Sequence, residues 1–269
     1  MFVAGNPKNP PLVLVPALFV SLDVFLLTIP RMVSDFYVVS YDKPGRGYSE
    51  KAMRPQTISD LADHLATLVN QLLPGTRPLL SGSGFGGWVA ARAASKYPDR
   101  FKALILNNPG NPKPQAIETL RRANHEEVER GTLEASKKSF ERLVSSPEFA
   151  LMDLVCIRYA THALEGNVVL AKQNIDNCLH AFTVPDDSWE KDWVKGIRLP
   201  TLLLWSKGNR IDDFTDYRPI LDQIPGIEVR ILEGGMFPHL ERPEEFAQIH
   251  REFMGRVEQA WPYETEKNT

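Results

Sequence analysis

The sequence predicts an α/β protein whose doubly wound, mostly parallel sheet is interrupted by an all-helical block. Short apolar runs rich in β-branched residues alternate with amphipathic helical segments up to residue 107, and the alternation resumes at residue 201. Between residues 110 and 197 the pattern indicates several helices and no clear strand. We therefore predict a core formed by residues 1–109 and 198–269, and a helical cap formed by residues 110–197.

The individual elements follow from these patterns. Strands are expected at residues 11–15, 36–41, 77–81, 102–107, 201–205 and 228–232. Helices are expected at residues 23–33, 57–73, 85–97, 217–223 and 243–257. In the second of these helices Leu61, Leu65 and Leu68 share one face, and Thr57 or Ser59 is placed to cap it. We expect the tail after Trp261 to be disordered, because it is short and polar.

Charge and cysteine content limit the possible partners. The chain has 31 basic and 34 acidic residues without a long run of either sign, so neither nucleic acid nor an anionic membrane is a favoured partner. The apolar stretch at residues 12–29 is interrupted by Pro16 and Asp23, and we interpret it as a strand and a helix rather than a secretory signal. Cys156 and Cys178 lack metal-site spacing, which predicts buried, reduced thiols in a cytoplasmic protein without a metal. A homodimer is left open.

Four motifs follow one another in a recognisable order. They are YDKPGRGYSE, LLSGSGFGGWVAARAASKYPDRFKALIL, LPTLLLWSKGNR and EGGMFPHLERPEEFAQIHREFM. Their order resembles the α/β-hydrolase family, particularly its capped branch, which includes hydrolases that cleave C–C bonds in aromatic ring-cleavage products. The resemblance implies the α/β-hydrolase fold with a helical cap. It also implies a shortened N-terminal hairpin, because only about ten residues precede the first clear strand.

The resemblance also places a catalytic triad, and each of its three positions is replaced. The family's G-x-S-x-G elbow reads GSGFG at residues 82–86, with Gly84 at the nucleophile position. Asn209 stands where the acid is expected, and Met236 stands where the histidine base is expected. Glycine has no nucleophile and a thioether does not exchange protons at neutral pH, so an ordinary serine hydrolase is not expected.

A binding pocket does not require the triad. The backbone N–H groups of Leu18 and Phe85 are expected to form a donor pair, because the family builds its oxyanion hole from main chain. Aromatic residues expected near this point are Phe19, Phe25, Trp88 and Phe237. For Phe25 and Trp88, a place in the core is an equal alternative. Such walls suit an apolar small molecule with a carbonyl group.

Three residues are candidates to rescue catalysis, namely Ser83, His239 and His180. Ser83 could act only if the elbow shifted by one residue, and local hydrogen bonding is the alternative. His239 belongs to the loop that carries Met236, so a structural role is the alternative. His180, like His162, lies in the cap, where packing or surface exposure is the more common role.

Polar loop residues are assigned structural roles. Asp212 or Asp213 is expected to cap the following helix. Asp42 and Arg46 are expected to make polar contacts that stabilise their own loop.

Glycines also produce a second pattern at the elbow. Gly82, Gly84 and Gly87 fit the dinucleotide fingerprint G-x-G-x-x-G between a strand and a helix. The acidic residue expected after the next strand is missing, because Asn107 and Asn108 stand there. We therefore expect no cofactor.

Three functions remain open from the sequence. The first is a non-hydrolytic enzyme, such as a cyclase, lyase or isomerase, that holds and polarises a carbonyl compound. The second is a small-molecule-binding protein or receptor that uses the cap as a lid. The third is a hydrolase with an unrecognised base. An enzyme should place an ionisable group in the pocket, and the candidates are His180, His162, His239 and Asp23.

Overall fold

The computed structural model describes residues 1–52, 54–110, 112–164, 166–210 and 213–260. Across these ranges seven strands form one sheet in the order β1-β3-β2-β4-β5-β6-β7. All neighbouring pairs in it are parallel except β1 and β3. The strands are β1 (Phe2–Ala4), β2 (Pro11–Val15), β3 (Tyr37–Ser40), β4 (Leu79–Ser83), β5 (Ala103–Asn107), β6 (Thr201–Ser206) and β7 (Glu228–Leu232). The predicted fold class is confirmed.

The centre and the edges of the sheet differ in burial. Every residue of β2, β4, β5 and β6 is buried, which explains the continuous apolar character of most of these strands. At one edge β1 pairs antiparallel to β3, with Phe2 opposite Ser40. The sequence did not predict this three-residue strand, because its side chains are mostly exposed and it carries no core pattern.

The described ranges also contain α-helices, most of which lie where the periodicity of the sequence predicted a helix. They are α1 (Ile58–Leu72), α2 (Phe85–Lys96), α3 (Pro114–Arg130), α4 (Leu133–Glu141), α5 (Met152–Ala163), α6 (Val168–Leu179), α7 (Phe214–Leu221), α8 (Pro238–Glu241) and α9 (Pro243–Ala260). The prediction of one helix at residues 23–33 was wrong. Two short 3-10 helices, Leu22–Phe25 and Ile29–Arg31, stand there instead. Pro30 contributes to the break, because it cannot donate a backbone hydrogen bond.

The described residues between β5 and β6 form helices joined by turns, and no strand occurs among them. This segment contains α3 to α6, and we call it the inserted helical segment. Asn174 and Asn177 tie α6 to the core. The Asn174 side chain accepts from Ala52 N at 2.9 Å and donates to Gly45 O at 3.0 Å, while Asn177 donates to Ala52 O. The exact limits of a cap domain stay a prediction.

Several smaller expectations have different outcomes. Cys178 is buried, but Cys156 is exposed on α5, so its predicted burial was wrong. Periodicity could not show this, because α5 presents that residue away from the core. Asp213 caps α7 by accepting from Thr215 N at 2.8 Å. Asp212 and the tail after residue 260 lie outside the described residues. None of the described helices combines the length and the apolar composition that a bilayer span requires.

The N-terminus of α1 offers a direct test of the helix assignment. The Thr57 hydroxyl accepts from Asp60 N at 2.9 Å, and the Asp60 carboxylate accepts from Thr57 N at 3.3 Å. We expect Thr57→Ala to lower the free energy of unfolding by about 1 kcal/mol, because this capping box is lost. Urea unfolding measures the change. Thr67→Ala, an exposed substitution inside the same helix, is the control and should change stability by less than about 0.5 kcal/mol.

Candidate small-molecule site at the strand–helix elbow

The turn between β4 and α2 has the backbone of a sharp elbow. Gly84 lies at φ 51° and ψ −124°, in a region that residues with a side chain rarely adopt. Its N–H donates to Asn107 O at 2.8 Å, which fixes the turn against the end of β5. We call residues 82–86 the elbow.

The glycines on both sides of Gly84 are required by packing. A Cβ placed on Gly82 would lie 2.3 Å from Gly86 O. A Cβ placed on Gly86 would lie 2.3 Å from the carbonyl oxygens of both Val15 and Pro16. The elbow therefore rests directly on the backbone at the end of β2.

Met236 fills the space in front of Gly84. A Cβ placed on Gly84 would lie 2.8 Å from Met236 Cε and 3.3 Å from Ala17 Cβ. Met236 is also buried. The structure thus brings together two of the residues that the resemblance assigned to the triad, and neither can take or give a proton.

Asn209 lies in a different environment. It follows β6 and lines an open groove together with Trp205 and Phe214. Its loop is joined to the loop of Met236 by a hydrogen bond from Gly208 N to Gly234 O at 2.9 Å. Asn209 is not among the residues that line the cavity in front of Gly84.

That cavity is apolar. Its volume is about 60 Å³. All of its lining side chains lack ionisable groups: Ala17, Leu18, Phe19, Val20, Phe85, Gly110, Pro112, Leu120, Leu143, Phe182, Met236 and Phe237. We call it the apolar cavity. Phe19 and Phe237, which the sequence placed in the pocket, are in this lining.

Phe25 and Trp88, also expected in the pocket, lie in the core instead. The Phe25 ring packs on the His239 ring with centroids 4.7 Å apart. The Trp88 indole donates to Asp187 O at 2.9 Å and packs near Trp189. Both rings are almost fully buried. Sequence spacing places them near the elbow, but it does not reveal which way each ring points.

Leu18 and Phe85 both line the apolar cavity. Neither N–H donates a hydrogen bond to another described residue. The carbonyl of Ala17 accepts from Lys43 Nζ at 3.0 Å. Because this carbonyl and the Leu18 N–H lie on opposite sides of one trans peptide, the lysine sets the direction of the N–H.

Lys43 is a residue that the sequence reasoning missed. Its ammonium group is buried and also donates to Pro16 O at 2.6 Å. Burial lowers the pKa of Lys43 to about 7, and the neighbouring Asp42 carboxylate partly opposes this. A lysine in a loop gives no sequence signal of burial, because lysines in loops are usually exposed.

The two main rescue candidates are buried close to each other. Asn107 Nδ2 donates to Ser83 Oγ at 3.1 Å and lies 3.4 Å from His239 Nδ1. Ser83 and His239 are each at most 1% exposed, and neither lines the apolar cavity. Burial lowers the pKa of His239 to about 3, with a further contribution from His250. Both residues therefore belong to a buried polar network.

The remaining ionisable candidates also lie away from the apolar cavity. His180 is exposed, and its carbonyl accepts from Thr183 Oγ1 at 2.8 Å. Asp23 accepts from Ser21 Oγ at 2.7 Å. His162 lines a separate, smaller cavity on the other side of Phe19.

Comparison with known proteins identifies the family. A sequence profile described as alpha/beta hydrolase fold matches residues 10–243. The chain belongs to the α/β-hydrolase fold family. A related poly(3-hydroxyalkanoate) depolymerase from Ectopseudomonas oleovorans is 23% identical over 265 residues, which cover 95% of this chain and 88% of that protein.

Solved structures of the α/β-hydrolase fold are similar along nearly the whole chain. The enol-lactonase from Burkholderia xenovorans has a TM-score of 0.78 at 19% identity, covering 94% of this chain and 95% of that one. A meta-cleavage product hydrolase from Pseudomonas fluorescens has a TM-score of 0.77 at 15% identity, covering 95% and 93%. At these identities the likeness shows the fold alone.

The elbow packing of this α/β-hydrolase fold predicts an unusual response to alanine. In a helix, Gly→Ala normally stabilises by about 0.5–1 kcal/mol. We expect Gly86→Ala to destabilise by about 3 kcal/mol or to prevent folding, because the new methyl would overlap two backbone carbonyls. Gly255→Ala is the matched control: it lies in α9 with nothing within 4 Å of the new methyl and should stabilise. Equal effects in urea unfolding would contradict the packing.

His239 gives a prediction about how the stability of the protein depends on pH. Its pKa is about 3 in the folded protein and 6.5 in the unfolded chain, so only the unfolded chain takes up a proton between these values. The contribution of His239 to stability is therefore complete above about pH 6.5 and is lost as the pH falls towards 3. Ring ¹⁵N chemical shifts should stay constant from about pH 7.5 to about pH 5 in folded protein. A titration in that interval would show that His239 is accessible as a base.

Proposed function

We propose that this chain is a member of the α/β-hydrolase fold family that has lost serine-triad hydrolysis and binds an apolar, carbonyl-bearing small molecule in the apolar cavity. One observation carries the proposal. The cavity in front of Gly84 has no ionisable side chain in its lining. Met236 agrees with this, because its Cε lies 2.8 Å from the place of a Cβ at Gly84.

The elbow and the residue in front of it lack the side chains that serine-triad hydrolysis requires. The nucleophile position holds Gly84, and the base position holds Met236, so acyl transfer has neither an attacking oxygen nor a proton acceptor. Ser83, the neighbour of Gly84 in sequence, has a hydroxyl group, but it is buried and accepts a hydrogen bond from Asn107. Relatives named as hydrolases share the fold, and a fold by itself does not carry an activity.

A carbonyl group suits the polar atoms that remain. Leu18 and Phe85 line the apolar cavity, and neither N–H donates to another described residue, so both N–H groups would be available as donors to a ligand. A carbonyl oxygen placed between them would satisfy both, while the rest of the ligand contacts aromatic and aliphatic walls. This supports ketones, esters or lactones over alcohols and amines.

The apolar cavity is small for a ligand site, which supports a lid that opens when a ligand enters. Drug-sized ligands occupy sites of about 300–1,000 Å³, and this cavity measures about 60 Å³. Five of its lining residues belong to the inserted helical segment, namely Gly110, Pro112, Leu120, Leu143 and Phe182. Phe182 closes edge-on against Phe85 with ring centroids 5.2 Å apart. We propose that ligand entry displaces these side chains and that the inserted helical segment is the lid.

Binding without chemistry is favoured over catalysis. His180, His162, His239 and Asp23 were the candidates for an ionisable group in the pocket, and none lines the apolar cavity. A non-hydrolytic enzyme, such as a cyclase, lyase or isomerase, remains the second candidate. The donor pair of Leu18 and Phe85 favours it, because two N–H groups can polarise a carbonyl as well as bind it.

A cavity-filling variant tests the proposal. We expect a carbonyl compound to co-purify with the wild type, to react with a hydrazine reagent after extraction, and to be absent from Leu120→Trp, whose ring would fill the cavity. Val169→Trp is the control, since Val169 is 74% exposed on α6. Mass spectrometry of the extracts measures the ligand. An equal yield from both variants would place the ligand elsewhere.

Two further measurements separate the remaining roles. Turnover of p-nitrophenyl esters that Ser83→Ala abolishes would establish the hydrolase and overturn the proposal. Incubating the extracted compound with fresh protein separates the other two roles. A binding protein returns the compound unchanged, whereas an enzyme converts it into a second species at more than one equivalent per chain.

A further inference from the structure

We propose that the ligand carries a carboxylate, which Arg46 binds in a second cavity next to the apolar cavity. This inference rests on the proposed function, because it assigns the charged end of the same small molecule. The second cavity has a volume of about 30 Å³ and is lined on its polar side by Arg46, Arg158, Thr161 and His162. We call it the arginine cavity.

Arg46 is a buried cation whose hydrogen bonds are incomplete. The residue is 6% exposed. Its Nε and Nη2 atoms are buried and have no hydrogen-bond partner among the described residues. The guanidinium lies 4.7 Å from the ring centre of Phe19, so one of its flat faces is covered. The sequence interpretation, in which Arg46 only stabilises its own loop, does not account for these atoms.

The unpaired edge has the geometry of a carboxylate receptor. Nε and Nη2 form the side of a guanidinium that binds both oxygens of one carboxylate. Arg158, in the same cavity, shows this pairing: its Nε and Nη2 donate to the two Glu127 oxygens at 2.8 and 2.7 Å. Arg46 presents the same two atoms and has no carboxylate of its own.

The carboxylates near Arg46 already have other hydrogen-bond partners. Glu127 is paired with Arg158 and lies 3.3 Å from His162 Nε2. Asp42 accepts from the backbone N–H groups of Leu22 and Tyr48 at 2.7 and 3.1 Å. A buried charge without a partner is costly, so an anion that enters the arginine cavity would relieve an existing cost.

The charges around Arg46 are mixed. Burial lowers the pKa of His162, Glu127 opposes this, and the Arg158 and Arg46 guanidinium groups lower it further. Burial also lowers the pKa of Lys43, which Asp42 opposes and Arg46 increases. Because Arg158 is paired with Glu127, Arg46 is the guanidinium of this cavity whose Nε and Nη2 lack a carboxylate partner among the described residues, which favours an anion over a neutral occupant.

Position and size indicate the class of ligand. Phe19 and Val20 line both cavities, so the two are neighbours separated by these side chains. A space of about 30 Å³ suits a planar carboxylate better than a phosphate or a sulfate. The apolar part of the ligand would lie in the apolar cavity, which predicts a keto acid or a related carbonyl-bearing carboxylic acid.

The first test compares formate with formamide, its neutral analogue of similar shape. In chloride-free buffer, with methanesulfonate, which has no carboxylate, to hold the ionic strength, formate should raise the melting temperature of the wild type in a saturable way. Formamide should not. Arg46→Gln should lose the formate response, whereas Arg54→Gln, an exposed arginine close in sequence, should retain it.

The outcomes of this test are decisive in either direction. Equal responses to formate and formamide, or a response that survives in Arg46→Gln, would overturn the carboxylate site. If Arg46→Gln does not fold, the comparison of the two ligands on the wild type decides the question.

The second test separates this inference from the proposed function. Hexanoate should bind at least roughly tenfold more tightly than formate, because its chain enters the apolar cavity. Leu120→Trp should remove this gain and keep formate binding. Formate binding without any gain for hexanoate would support the arginine cavity and count against the proposed function. Tight binding of 2-hexanone with no preference for hexanoate would support the proposed function and count against a carboxylate site in the arginine cavity.

Discussion

The close contact between the elbow and the end of β2 is the constraint on which the site depends. Gly82 and Gly86 allow backbone to touch backbone, and Gly86 would otherwise collide with two carbonyl oxygens. This contact places the first turn of α2 beside the loop that follows β2. As a consequence, Leu18 and Phe85 both line the apolar cavity. The packing is preserved although the residue at the tip of the elbow has no side chain.

Polar groups beneath the elbow hold the surrounding loops together. Asn108 has a positive φ of 43°, a conformation that asparagine tolerates better than most residues. Its side chain donates to Met236 O and to Ser206 Oγ, both at 3.0 Å, and it accepts from Ser206 N at 2.8 Å. The loops after β5, β6 and β7 are thus fixed by amide and hydroxyl groups. These groups hold the loops around the elbow in place, and none of them is an acid or a base at neutral pH.

In the proposed function, the two cavities would bind different parts of one ligand. The walls of the apolar cavity would supply most of the free energy of binding, because they remove hydrocarbon from water. The proposed backbone donors and the proposed arginine site would fix the orientation of a ligand, because each donates only to an oxygen that lies in a defined direction. Phe19 connects the two sites. Its ring covers the guanidinium of Arg46, and its carbonyl accepts from Arg158.

The sequence by itself determined the order of the strands along the chain, most of the helices and the place of the elbow. Strands buried on both faces need continuous apolar residues, and α1 needs one apolar face, so both leave a periodic record. It also determined that positions 84 and 236 carry neither nucleophile nor base, since that depends only on residue identity. It missed β1 and mistook two 3-10 helices for one helix, because short, weakly packed elements leave little periodic record.

Only the tertiary structure decided which side chains line the cavities. Phe25 and Trp88 turned out to be core residues, and Asn209 lies on a different groove. The burial of Lys43 and the unpaired edge of Arg46 had no sequence signal at all. The physical reason is that the direction and the partners of a side chain are set by contacts between residues far apart in the chain, which no local pattern records.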